Sequence, residues 1–123
     1  MSAVRSTVTG VRPHGSDPVA RVKPVWFVPE DALDVTRDAV FEAGAGRIGE
    51  YERCSWYTAG TGTFFGCERT DPAVGERGTE ERVPELRVET MVPTDRLNQV
   101  VAALRAAHPY EEPAYDVYPL VDA

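Results

Sequence analysis

Two short stretches of this 123-residue chain match one another, and both fall at the same kind of junction. Val28-Pro29-Glu30-Asp31-Ala32-Leu33 and Val92-Pro93-Thr94-Asp95-Arg96-Leu97 share the pattern V-P-x-D-x-L. Each follows an apolar stretch with strand character, Val22 to Val28 and Leu86 to Val92, and each precedes a helical pattern. In the second copy Leu97, Val100, Val101, Leu104 and Ala107 recur at three- and four-residue intervals, which places them on one face of an α-helix. Thr94 or Asp95 is positioned to cap the first turn, and Pro109 stops the helix. In the first copy Leu33, Thr36 and Val40 form the stripe, and Gly44 and Gly46 supply a left-handed exit. A further strand follows each helix, Tyr51 to Thr58 and Ala114 to Pro119. Two β-α-β units in tandem predict an α+β, ferredoxin-like fold, with two helices on one face of an antiparallel sheet.

One strand is left over. Thr63 to Glu68 follows Tyr51 to Thr58 through Ala-Gly-Thr-Gly, which reads as a hairpin. A two-residue turn at Gly60-Thr61 and a four-residue loop from Ala59 to Gly62 give the same register. Trp56 then faces Phe65, and Cys54 faces Cys67. Thr70 to Glu85, with Pro72, Gly75, Gly78 and Pro84, reads as a long polar loop. Since two helices cover only one side of a sheet, an aromatic second side needs another cover, and a further copy of the same chain would supply it.

Size and composition set the remaining bounds. The length suits one domain, expected over residues 22–121, with residues 1–21 as a flexible N-terminal extension lacking apolar period. Twenty acidic against 13 basic side chains give a net charge of −7, which disfavours nucleic acid and anionic membranes as partners. No apolar run approaches a membrane span, and no secretory signal is evident at the start. Two cysteines are too few for a disulfide framework, so a cytoplasmic location is expected.

The run His108-Pro109-Tyr110-Glu111-Glu112-Pro113-Ala114-Tyr115-Asp116 stops a helix, turns through two carboxylates and enters an aromatic strand. With it go Phe41-Glu42-Ala43-Gly44-Ala45-Gly46-Arg47-Ile48-Gly49, Tyr51, Cys54-Ser55, Gly60-Thr61-Gly62-Thr63-Phe64, Pro72, Gly75, Gly78, Glu89-Thr90 and Pro93. Together these residues, spread over roughly Val22 to Leu120, resemble the PII/CutA-like accessory domain of the NIF-three-like (Ngg-interacting-factor) family. In longer members this module projects from a core with a dinuclear metal site, whose ligands are His and carboxylates. The chain has two histidines, His14 and His108, and nothing corresponding to that core. The resemblance therefore implies the accessory domain without the catalytic label. CutA and PII relatives are trimers, so it also implies a homotrimer. Some CutA proteins are linked to divalent-cation tolerance, and PII proteins sense nucleotides.

Three groups of side chains are candidates for a site. His108, Glu111 and Glu112, with Asp116 nearby, offer imidazole and carboxylate donors that suit zinc or another borderline divalent metal ion. The alternative is that His108 caps the last carbonyls of its helix while the glutamates are solvated. Arg47, Tyr110, Glu111 and Glu112 are the candidate ligand-binding residues, although the glycine turn around Arg47 lies at a helix C-terminus, where the dipole repels anions. Cys54 and Cys67 form a candidate thiol pair, able to hold a soft metal or oxidise, or else are packed as thiols. No catalytic residue is assigned: there is no G-x-S-x-G elbow, Ser55 has no histidine near it in sequence, and adjacent glutamates on a strand point apart. Two readings of function follow. One is a non-catalytic PII/CutA-like trimer that binds a small ligand, metal ion or protein partner at subunit clefts. The other is an accessory subunit completing a separately encoded NIF-three-like dinuclear-metal hydrolase core.

Overall fold

Trp26 decides where the core lies. It occupies the middle of β1 (Arg21–Val28), is fully buried, and points to the side of the sheet on which both helices pack. The computed structural model describes residues 20–67 and 78–121. In chain order the remaining elements are α1 (Leu33–Glu42), β2 (Trp56–Phe65), β3 (Glu80–Glu89), β4 (Val92–Pro93), α2 (Leu97–Ala107) and β5 (Tyr115–Pro119). All pairings are antiparallel, in the order β2-β3-β1, with β5 on the far side of β1 and β4 alongside it. The α+β ferredoxin-like expectation is met.

The repeat has equivalent surroundings in its two copies. Val28 and Val92 are both fully buried, and Pro29 and Pro93 are both extended. Each proline leads into a 3₁₀ turn, Glu30–Ala32 or Thr94–Arg96, from which a helix starts at Leu33 or Leu97. The expected side-chain cap at Thr94 or Asp95 does not form. Thr94 Oγ1 donates instead to the Ala20 carbonyl at 3.0 Å, tying the turn to the start of β1. The helical stripes are as read: Leu33, Thr36 and Val40 are buried on α1, and Val100 and Leu104 on α2.

β4 continues β3 along β1. Val25 pairs with Glu89 and Val22 with Val92, which is one unbroken register. The ladder is interrupted over Lys23 and Pro24, opposite Met91 and Thr90; Pro24 has no N–H to give, but its carbonyl still accepts from Thr90 N at 3.2 Å.

The expected hairpin at Gly60-Thr61 is not present. β2 runs straight through the Ala-Gly-Thr-Gly stretch and pairs with β3 over its whole length, from Trp56 opposite Glu89 to Phe65 opposite Glu80. Residues 80–85, read as loop, are therefore strand. Pro84 is tolerated because β3 has there passed its last pair with β1, Leu86 with Val28, so no third strand asks for its N–H. Residues 70–77 of the expected loop, and nearly all of the expected extension 1–21, lie outside the described residues.

A straight β2 also changes the faces. Strand alternation puts Tyr57 and Phe65 on the helix side and Trp56 and Phe64 on the open side, so Trp56 does not face Phe65. Cys54 and Cys67 lie beyond opposite ends of β2, separated by nine strand steps, or roughly 30 Å. A disulfide needs Cα atoms within about 7 Å. Mild oxidation of dilute protein should therefore leave both thiols reduced within one chain. Exposed Cys67 should be alkylated before half-buried Cys54. A two-hydrogen mass loss in the monomeric chain would contradict this placement.

Candidate functional site

The turn after α2 is organised by His108. Its ring is almost fully buried, with Nε2 2.6 Å from the Phe27 carbonyl and Nδ1 accepting the Tyr110 N–H at 3.1 Å. Acceptance at Nδ1 places the proton on Nε2, which donates to Phe27. The tilted Tyr110 ring packs 5.0 Å away. Burial pushes the His108 pKa down, and the bond to the Phe27 carbonyl partly opposes that. With Nε2 protonated and the Nδ1 lone pair taken by Tyr110 N–H, neither nitrogen of this imidazole is open to a metal ion.

Glu111 and Glu112 are both exposed on the same turn. Among the described residues, no group of three or more His, Cys, Asp and Glu side chains is placed to hold a metal ion. The candidate set His108, Glu111 and Glu112 therefore does not converge, and Asp116 lies on the open face of the sheet, opposite Val25. The alternative for His108 changes as well: its ring bridges to β1 rather than capping α2. Tyr110 is half-buried and its pKa is raised, first by burial and then by the charges of Glu85 and Asp31. Burial likewise raises the Glu85 carboxyl.

Arg47 lies in the glycine turn after α1, in a cleft with Pro93 and Arg96 at the start of α2, whereas Tyr110 follows the end of that helix. Gly44, Gly46 and Gly49 all have positive φ in the glycine turn. Gly46 could not carry a side chain without disturbance: a Cβ would sit 2.8 Å from the Phe41 ring. The Arg47 guanidinium reaches Glu52 at 3.4 Å, with both side chains more than two-thirds exposed. Arg47 is thus not brought together with Tyr110, Glu111 and Glu112 as one ligand set.

The open side of the sheet is less greasy than its aromatic content implied. Lys23 Nζ bonds Glu89 Oε1 at 3.1 Å, and Arg87 Nε bonds Glu89 Oε2 at 3.1 Å. The Arg87 guanidinium also lies over the Phe27 ring (5.7 Å) and the Tyr118 ring (6.0 Å). Burial alone would raise the Glu89 carboxyl, but hydrogen bonds from Lys23 and Arg87 outweigh it and hold the pKa low. Arg87 is raised by its hydrogen bonds to Glu89 and Tyr118. Trp56, directly opposite Glu89, is 53% exposed at the sheet edge. Alternation of charged and aromatic residues on β1 and β3 could have signalled this lattice, but only with the correct β2 register.

No family model matches the sequence. The chain is 54% identical over 97 residues to a GTP cyclohydrolase 1 type 2 homolog of Mycobacterium tuberculosis, covering 79% of this chain and 26% of that protein. The corresponding Bacillus subtilis protein is 39% identical over 108 residues, covering 88% and 28%. Among solved structures, a Bacillus cereus protein related to NIF3 superposes with TM-score 0.71 at 43% identity, over 85% of this chain and 27% of that one. CutA from Archaeoglobus fulgidus superposes with TM-score 0.61 at 14% identity, over 81% and 83%, a likeness of fold alone. The chain spans about a quarter of the length of the curated relatives it matches. No helix among the described residues is long and apolar enough to cross a membrane. The sequence identity joins this chain to one part of the longer proteins, and the superposition gives that part a CutA-like fold. By sequence and by fold, the chain corresponds to the CutA-like module of the longer NIF3-related proteins.

Proposed function

We propose that this module is non-catalytic, resides in the cytoplasm, and assembles as a homotrimer that holds a small ligand or a protein partner at the clefts between subunits. The observation that carries the reading is the edge strand β2. Its ten residues contain no charge, its outer backbone edge pairs with no strand among the described residues, and Trp56, Tyr57 and Phe65 stay about half exposed along it. A long uncharged edge strand is a template for pairing, which native proteins normally blunt with charge, proline or a covering element. Assembly through that edge would cover it. Light scattering on the eluting full-length chain should give about three times the 13.5 kDa chain mass. A stable monomer at micromolar concentration would overturn the reading.

A second reading is favoured by the pattern of similarity. Identity to the longer NIF3-related proteins reaches 54%, against 14% for CutA. That asymmetry fits an accessory subunit that completes a separately encoded dinuclear-metal core. Affinity capture with the tagged chain should then recover such a metalloprotein; its absence, alongside a trimer of the chain alone, would favour the first reading.

A further inference from the structure

The chain is acidic overall, yet three guanidinium groups line one cleft. It opens between the C-terminal end of α1, the glycine turn behind it, and the 3₁₀ turn before α2, and its volume is about 520 Å³. Arg47, Arg53 and Arg96 line it together with two carboxylates, Glu42 and Glu52. The volume is that of a small-molecule site.

The three arginines differ in how they are held. Arg96 makes no hydrogen bond or ion pair among the described residues. Its aliphatic stem lies against Gly44, where a Cβ would be 3.4 Å from Arg96 Cδ. Gly44 has φ +120, which favours glycine on backbone grounds, and the stem packed beside it sets where the unpaired head stands. Arg53 has φ 56, the one positive-φ residue other than glycine among those described. That conformation costs about 1 kcal/mol or more. Its guanidinium bonds Asp38 at 2.6 Å and lies over the Phe41 ring at 4.8 Å, which aims the group along the cleft wall. Arg47 meets only the solvent-exposed Glu52, at a distance typical of a weak surface pair.

The helix end is a smaller obstacle to an anion than its dipole suggests. The Ala39, Val40 and Phe41 carbonyls already accept from the N–H groups of Ala43, Ala45 and Gly44, which closes the terminus. An incoming oxyanion would displace Glu52 from Arg47 and take up the vacant fork of Arg96.

We propose that this cleft binds a small organic oxyanion, a phosphate ester or a dicarboxylate, through forked hydrogen bonds from Arg96 and Arg47. The site lies within one copy of the chain, so it stands or falls apart from trimer assembly. The test is amide-resolved NMR titration of the full chain with phenyl phosphate in one arm and phthalate in the other. Saturable shifts are expected at Gly44, Gly46, Arg53 and Arg96 in at least one arm, and which arm responds identifies the anion. Arg96→Gln retains most of the stem on Gly44 and should weaken binding about tenfold, whereas Lys23→Gln on the open sheet face should leave it unchanged. Three results would each overturn the proposal: no saturable shift by about 10 mM of either probe, unaltered affinity in Arg96→Gln, or equal weakening in Lys23→Gln.

Discussion

Replacing Thr36 by valine should lower the stability of the domain by about 2 kcal/mol, even though valine has the same shape and a less polar side chain. Thr36 Oγ1 accepts the indole N–H of Trp26 at 3.0 Å and lies 2.9 Å from the Ala32 carbonyl and 3.0 Å from the Leu33 carbonyl, to which its hydroxyl donates. Both side chains are fully buried, so no water can replace the lost acceptor. The substitution would leave the Trp26 N–H orphaned in the core, and the desolvation cost of an unpaired buried donor exceeds the net worth of the bond itself. The comparison that isolates this cause uses a Trp26→Phe background. There no indole N–H remains to be orphaned, and the added cost of Thr36→Val should fall below about 1 kcal/mol. Urea unfolding of the four proteins closes the cycle. Equal costs in the two backgrounds would place the effect in helix packing and remove the hydrogen bond from the explanation. For a domain of about 100 residues, 2 kcal/mol corresponds to a fall in Tm of roughly 10 °C.

The parts of the fold that could be read from the sequence are those where burial writes a period into the chain. Leu33, Thr36 and Val40, and Val100 with Leu104, sit at helical spacing because one side of each helix meets the sheet. The duplicated Val-Pro junction is readable because both valines are core and both prolines must be extended. β2 is different. It is an edge strand with little buried on either side, so its glycines are tolerated and imitate a turn. Its partner β3 has a polar outer half, Glu80 to Glu85, because that half reaches past β1 and past the core. With no apolar alternation, residues 80–85 resemble loop. The thiol pairing and the facing of Trp56 on Phe65 both followed from that single misplaced turn. At the candidate site the same limit applies to contacts made at long range. The bond from His108 to Phe27 joins residues 81 positions apart, which local spacing cannot reveal. Arg53 and Arg96 gave no signal of their own either. Their convergence depends on the helix end, the glycine turn and the second repeat meeting in space.

His108→Ala should cost about 3 kcal/mol, among the larger effects available to a single polar side chain in this molecule. The substitution would remove the donor that satisfies the Phe27 carbonyl and the acceptor that satisfies the Tyr110 N–H, leaving a void in place of a nearly buried ring. The wild-type imidazole should also give the domain a pH dependence of defined sign. Its folded pKa lies below the ordinary 6.5 because burial disfavours the charged ring, so the unfolded chain takes up the proton first. The stability it contributes is complete above pH 6.5, declines as the pH falls through 6.5 toward the folded value, and levels off below that. Protonated Nδ1 would also face the Tyr110 N–H, donor against donor. Two carboxylates titrate in the neighbouring acidic range. Glu89, held low by Lys23 and Arg87 against the effect of burial, weakens the fold only at still lower pH. Glu85, raised by burial, acts in the opposite sense, its contribution being lost as the pH rises through its elevated pKa. His108→Gln separates the terms, since glutamine can still offer an N–H toward the Phe27 carbonyl but does not titrate. Denaturant midpoints measured from pH 7.5 downward should fall for the wild type and fall less for His108→Gln, the gap opening just below pH 6.5. Parallel curves for the two proteins would show that the ring is not the titrating group.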